Sequence, residues 1–161
     1  MKPTSPEDLA QAIGLVIGAG DGTHYEATST WMCGAQTEQH KISVHPRAFS
    51  WQGENVQTGE RSSFDPATMR MRLGGEDSTL SLDRIPFSFP GFVKLAFPLS
   101  MAIWGRSGDD FRPIALEAAG AECVILLRHQ TDIRLFGSLS FDRMTGRTTR
   151  LVLPTEVWHL A

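Results

Sequence analysis

The sequence predicts a mostly-β (α+β) domain: a curved antiparallel sheet, an open half-barrel, with a short N-terminal helix and a helical turn crossing its centre. Three observations predict it. Apolar residues repeat with helical spacing only between Leu9 and Ile17. From Tyr25 onward they alternate with polar ones in short runs punctuated by Gly, Pro, Asn and Asp. The stretch from Ile85 to Gly105 interrupts that alternation with Pro86, Pro90 and Pro98 among Phe87, Phe89, Phe92, Phe97 and Trp104.

The helix is written in its caps. Ser5 suits the N-cap, Pro6 the first helical position, and Glu7 and Asp8 the positive end of the helix dipole. Leu9, Ala12, Ile13, Val16 and Ile17 make one apolar stripe, and Gly18 and Gly20 end it. Gly14 inside it costs about 1 kcal/mol relative to alanine.

After Gly22 the period changes to two. Tyr25, Ala27, Ser29, Trp31 and Cys33 share one face of a strand, and Gly34-Ala35 turns the chain. Ile42 and Val44 alternate with Lys41, Ser43 and His45 until Pro46 interrupts the ladder. Phe49 and Trp51 are placed in the next strand, with a turn at Gln52-Gly53-Glu54-Asn55. A weaker strand is expected from Val56 to Phe64, broken at Asp65-Pro66. Met69, Met71 and Leu73 then alternate with Thr68, Arg70 and Arg72 up to Gly74-Gly75, and Leu80 and Leu82 suggest one more short strand.

Proline density forbids a regular strand in the centre. Leu99, Ala102 and Ile103 indicate a short helix from Pro98 to Trp104, capped by Gly105. Strands resume at Ile114 and Leu116, with a turn at Gly120. Cys123 to Leu127 is apolar on both faces, as a central strand would be. Leu135 to Asp142 and Thr148 to Leu153 flank the hairpin loop Arg143-Met144-Thr145-Gly146, and Val157 to Leu160 closes the chain. About eight to ten short strands with local turns make an antiparallel meander.

A chain of 161 residues fits a single domain, here 1–161. The net charge of -3 excludes a broadly basic nucleic-acid binder, so no nucleic-acid partner is expected. No apolar run is long enough for a transmembrane segment. Acids sit where a signal peptide carries positive charge, so a cytoplasmic location is expected, with Cys33 and Cys123 as free thiols.

Catalytic grammar is sparse. No dinucleotide fingerprint, phosphate loop, HExxH or GxSxG occurs. His24, His40, His45, His129 and His159 lack metal-ligand spacing, and neither a metal nor a cofactor is expected. Asp109 and Asp110 read as a solvated turn. Arg70, Arg72, Arg143, Arg147 and Arg150 would form a basic strip if neighbouring strands aligned them. Large and adaptable apolar groups are abundant, and these either fill a core or line an apolar cavity. The candidate ligand-binding residues are therefore Trp31, Trp51, Met69, Met71, Phe92 and Trp104, with Arg106 at the cavity mouth.

The order of elements, together with Gly137-Ser138-Leu139-Ser140-Phe141-Asp142-Arg143-Met144-Thr145-Gly146-Arg147 and its Asp-x-x-Thr-Gly hairpin, resembles bacterial lipoprotein carriers of the LolA/LolB type and their relatives. The resemblance implies an unclosed barrel wrapped around plugging helices, with a cavity for acyl chains or other apolar ligands. Relatives of the fold also include a cytoplasmic, cofactor-free enzyme of the violacein pathway. The sequence thus points first to non-enzymatic binding of an apolar or amphipathic small molecule. The alternatives are a cofactor-independent enzyme of secondary metabolism on the same scaffold, or a protein-interaction module with a closed core. A homodimer is left open.

Overall fold

Local chemistry builds the first element as read. In the computed structural model, which describes residues 4–19, 22–79 and 89–161, helix α1 runs Pro6–Gly18, and the Ser5 hydroxyl accepts the Asp8 N–H at 3.1 Å. Ala12 and Val16 are buried, so the apolar stripe faces the core.

Among the described residues eleven strands follow in one antiparallel sheet. β1 (Tyr25–Cys33), β2 (Gln36–His45), β3 (Ser50–Asn55), β4 (Arg61–Asp65), β5 (Arg70–Leu73) and β6 (Glu76–Thr79) form a first meander. β7 (Phe111–Ala119), β8 (Glu122–His129), β9 (Phe136–Asp142), β10 (Thr148–Val152) and β11 (Val157–Leu160) form a second. The order is β6-β5-β4-β3-β2-β1-β11-β10-β9-β8-β7, so the last strand joins the two halves by pairing with the first. Trp31 stands opposite Trp158 at that junction. Among the described residues β6 and β7 are the edge strands. No helix among the described residues is long and apolar enough to cross a membrane.

The parity read from β1 and β2 holds: Ser29, Ile42 and Val44 are buried on the inner face. Several boundaries move. Phe49 is not a strand residue; it closes the 3-10 turn Pro46–Ala48 with φ 54° and is exposed. Gln52 to Asn55 is strand rather than turn, because the chain reverses one step later. There the buried Asn55 carboxamide accepts the N–H groups of Gln57 and Thr58. The expected strand from Val56 therefore starts only at Arg61. Met69 lies at φ 54° in the turn after Asp65, whose carboxylate accepts the Ala67 N–H, so only Arg70–Leu73 is strand. Leu80, Leu82 and the start of the proline-rich segment lie outside the described residues.

Residues 91–103 cross the inner face as two 3-10 helices, Gly91–Ala96 and Pro98–Ser100, rather than one helix from Pro98. Val93, Leu95, Ala96, Phe97, Met101 and Ile103 are buried there in one cluster with Trp51, Ile125, Leu127, Leu139, Phe141 and Leu151. The buried Thr148 hydroxyl donates to the Leu95 carbonyl and ties the crossing to β10.

The hairpin at Asp142 forms as the sequence suggests. The Asp142 carboxylate accepts the N–H groups of Met144 and Thr145, and Gly146 sits at φ 73°. Gly146 is required twice, since a Cβ there would also strike the Leu15 backbone carbonyl of α1. Gly146→Ala is expected to cost about 1–3 kcal/mol from backbone conformation alone. Urea unfolding checks this; an unchanged midpoint would mean that α1 does not rest on the hairpin.

Candidate binding surfaces

The inner face gathers most of the aromatic side chains. Phe92 meets Trp51 edge-on at 5.5 Å between ring centroids and stacks on His40 at 4.2 Å. Trp31 and Trp158 lie 5.9 Å apart, and the Lys94 ammonium sits 5.0 Å from the Trp158 ring. Two glycines make this packing fit. A Cβ at Gly53 would overlap the Phe92 ring, and one at Gly91 would overlap Trp158. Of the residues singled out from the sequence, Trp31, Trp51, Met69, Met71, Phe92 and Trp104 all belong to or pack against this one core cluster.

A cavity of about 30 Å³ lies among Ala19, Tyr25, Leu95, Pro98, Arg147 and Thr148. The Arg147 guanidinium lies 3.8 Å from the centre of the Tyr25 ring beside it. Burial pushes the Tyr25 phenol up to about 12, against the lowering effect of Arg147. Burial also pushes His40 below its ordinary value, with Glu38 opposing. Two polar atoms stand out: the indole N–H groups of Trp51 and Trp158 are buried with no acceptor among the described residues.

Trp104 and Arg106 are held by their own neighbourhood. The Trp104 indole donates to the Pro98 carbonyl at 2.7 Å. Arg106 donates to the carbonyls of Leu99 and Met101 at 2.8 and 2.7 Å and to the Asp109 carboxylate at 3.0 Å. Asp109 also accepts the backbone N–H groups of Trp104 and Arg106. The arginine thus clamps the end of the crossing segment, and Asp109 holds the clamp.

The larger concavity is on the opposite, outer face. A trough of about 800 Å³ opens over β1 to β5. Two cross-strand rows make its floor. One reads Thr28, Lys41, Glu54, Arg61; the other reads Glu26, Ser43, Gln52, Ser63, Arg72. Small hydroxyl and amide side chains leave the hollow, while charges balance across neighbouring strands. Arg61 pairs with Glu54 at 3.0 Å. Beyond the row, Arg72 faces Asp77.

The arginines proposed as a strip are not brought together. Arg70 and Arg72 are on β5, and five strands separate them from Arg150 on β10. The His24 and His45 rings lie 4.3 Å apart and tilted at 32°, a proximity that linear spacing hid because the turn of the chain brings them together. Among the described residues no three His, Cys, Asp or Glu side chains gather to hold a metal ion. The trough was invisible in the sequence, since its residues read simply as the polar positions of half-buried strands.

No protein-family model and no curated protein sequence matches the chain. Among solved structures its fold is similar to that of MucB. The crystal structure of MucB superposes with a TM-score of 0.53 at 12% identity, covering 98% of this chain and 58% of that one. The complex of Pseudomonas aeruginosa MucA and MucB gives 0.53 at 13% identity, covering 95% and 55%. MucB in complex with MucA(peri) gives 0.50 at 16% identity, covering 95% and 54%. The chain therefore spans little more than half the length of these proteins, and at such identities the likeness is one of fold.

The clamp has a pH signature. Burial raises the Asp109 carboxyl, but hydrogen bonds from the Arg106 side chain and from the Arg106 and Trp104 N–H groups outweigh it and hold it below the usual carboxylate value. A carboxyl lowered on folding contributes stability above its unfolded value, about pH 4, and loses it as pH falls through the folded value. Asp109→Asn should cost about 1–3 kcal/mol at pH 7. It should also flatten the acid limb of stability relative to the wild type. Denaturant titrations at pH 7 and on the acid side of pH 4 read both effects; equal acid limbs would remove Asp109 from this role.

Proposed function

We propose that the chain is a non-catalytic binding module that engages another protein through the outer face of its sheet. The observation that carries this reading is the filled inner face. Among the described residues, the crossing segment packs its apolar side chains into the inner face, and the cavity beside it near α1 holds about 30 Å³. A drug-sized or acyl ligand needs roughly 300 Å³ or more. The free surface with shape and chemistry lies outside, where side chains are polar or only half-covered. The half-barrel resemblance is compatible with a binding role.

A second reading keeps the carrier chemistry expected from the sequence: an apolar or amphipathic small molecule inserted between the sheet and residues 91–103. It is favoured by the two indole N–H groups, Trp51 and Trp158, that are buried without acceptors among the described residues. A ligand bearing oxygen atoms would satisfy them. In that reading Trp31, Trp51, Met69, Met71, Phe92 and Trp104 line the ligand and Arg106 stands near its entrance.

Native mass spectrometry of the purified chain, with mass analysis of an organic extract, separates the two. The interaction-module reading predicts the bare chain mass and no uptake of added fatty acid. A stoichiometric lipid or aromatic mass would overturn it and favour the carrier.

A further inference from the structure

The outer face is not uniform. Over β1 to β5 it is polar, but over the second meander it carries an apolar row that runs across the strands. Reading the register from β7 to β1, the row is Ala115, Leu126, Ser138, Val152, Val157 and Met32. Leu126, Val152 and Val157 are half-buried and lie outside the core cluster, and Met32 is 37% exposed. This explains why Cys123 to Leu127 is apolar on both faces: Cys123, Ile125 and Leu127 serve the core, whereas Val124 and Leu126 serve the outer row. Beside the row, Phe136 is 55% and Ile133 is 67% exposed.

A second, independent observation concerns charge. Arg112 on β7 stands directly opposite Arg128 on β8, and Arg128 stands opposite Phe136 on β9. Like charges in that position oppose strand pairing. Neither arginine takes part in an ion pair among the described residues. The trough over β1 to β5 shows no such deficit, because its Lys41 and Arg61 both face Glu54 across the strands.

We infer that the apolar row and the Arg112–Arg128 pair form one docking surface for a peptide segment of another protein, apolar along its contact face and bearing an aspartate or glutamate that reaches the two guanidiniums. This rests on reading the chain as a protein-interaction module and adds the surface and the partner's chemistry. A carboxylate at the guanidinium ends answers two facing cations that have no ion pair among the described residues and relieves their opposition. A discrete peptide fits better than an anionic membrane. The net charge is -3, and Glu117 lies in the next row of the same face, where a continuous negative surface would be repelled.

The test uses an mRNA-displayed library of random linear peptides selected on the intact chain, with enriched peptides titrated by fluorescence anisotropy. Enriched peptides should combine apolar residues with Asp or Glu. Their affinity should fall about tenfold or more in Arg112→Glu/Arg128→Glu. Exchanging the peptide acids for lysine should restore binding to that variant, which also shows that it is folded. Leu126→Ser should weaken the same peptides, and Lys41→Glu/Arg72→Glu should not.

The surface is overturned if nothing is enriched, or if the enriched peptides are indifferent to their acids. It is also overturned if binding is lost only through the trough variant, although the module reading then stands. Peptide competition by phosphatidylglycerol vesicles, or a dimer in sedimentation equilibrium that Leu126→Ser dissolves, would replace the peptide with a membrane or a second copy. A co-purifying lipid would instead bring down the module reading itself.

Discussion

The packing of residues 91–103 onto the concave side of the sheet is the interaction on which the other features depend. A sheet this curved would otherwise expose a face of Trp, Phe, Ile and Leu side chains to water. Each large apolar side chain removed from water contributes about 1.5–3 kcal/mol, and Val93, Leu95, Phe97, Met101 and Ile103 all bury themselves in one crossing. Prolines suit that segment because it has no strand neighbours to serve. Its 3-10 turns satisfy part of its backbone locally, with the N–H groups of Val93, Phe97 and Met101 donating to the carbonyls of Pro90, Lys94 and Pro98. Side chains anchor the rest: Thr148 holds the Leu95 carbonyl, and Arg106 holds those of Leu99 and Met101.

This packing decides what each face of the sheet can do. With the inside occupied by the chain itself, the pairing of β11 with β1 joins two meanders into a single surface whose outside is available. That surface divides chemically. The first meander presents small polar side chains with cross-strand charges that answer one another. The second presents apolar positions beside two arginines that no carboxylate answers among the described residues. A rule broken locally without a compensating gain in the domain itself is where function is sought. Arg112 facing Arg128 is such a place.

Much of the architecture was legible because it rests on local chemistry. Ser5-Pro6-Glu7-Asp8 specifies a helix start, Asp142 to Gly146 specifies a hairpin, and the alternation in Tyr25 to Cys33 specifies one buried face. The boundaries that moved did so for tertiary or turn-level reasons. Gln52-Gly53-Glu54-Asn55 has turn composition, yet Gly53 is there to admit Phe92, and Asn55 makes the turn one step later. Met69 has the right parity for a strand but closes a turn at positive φ. The large apolar residues were grouped by their abundance rather than by place, since Phe92 and Trp104 lie outside any strand. Their packing against the chain's own segment was not legible, since it depends on the path of residues 91–103. The outer row was hidden for the same reason: its members come from six strands, and only the register sets them side by side.

The crossing segment is a fixed part of the core rather than a lid. Residue-resolved native-state hydrogen exchange tests it most directly, using the hydrogen-bonded amides of Val93, Phe97 and Met101 against those of Ile125 and Leu139 in the central strands. The account predicts that both sets open with the same free energy, that of global unfolding. Exchange of the crossing segment through a lower-energy opening, with the strands still protected, would contradict it and return the inner face to the ligands that the sequence first suggested.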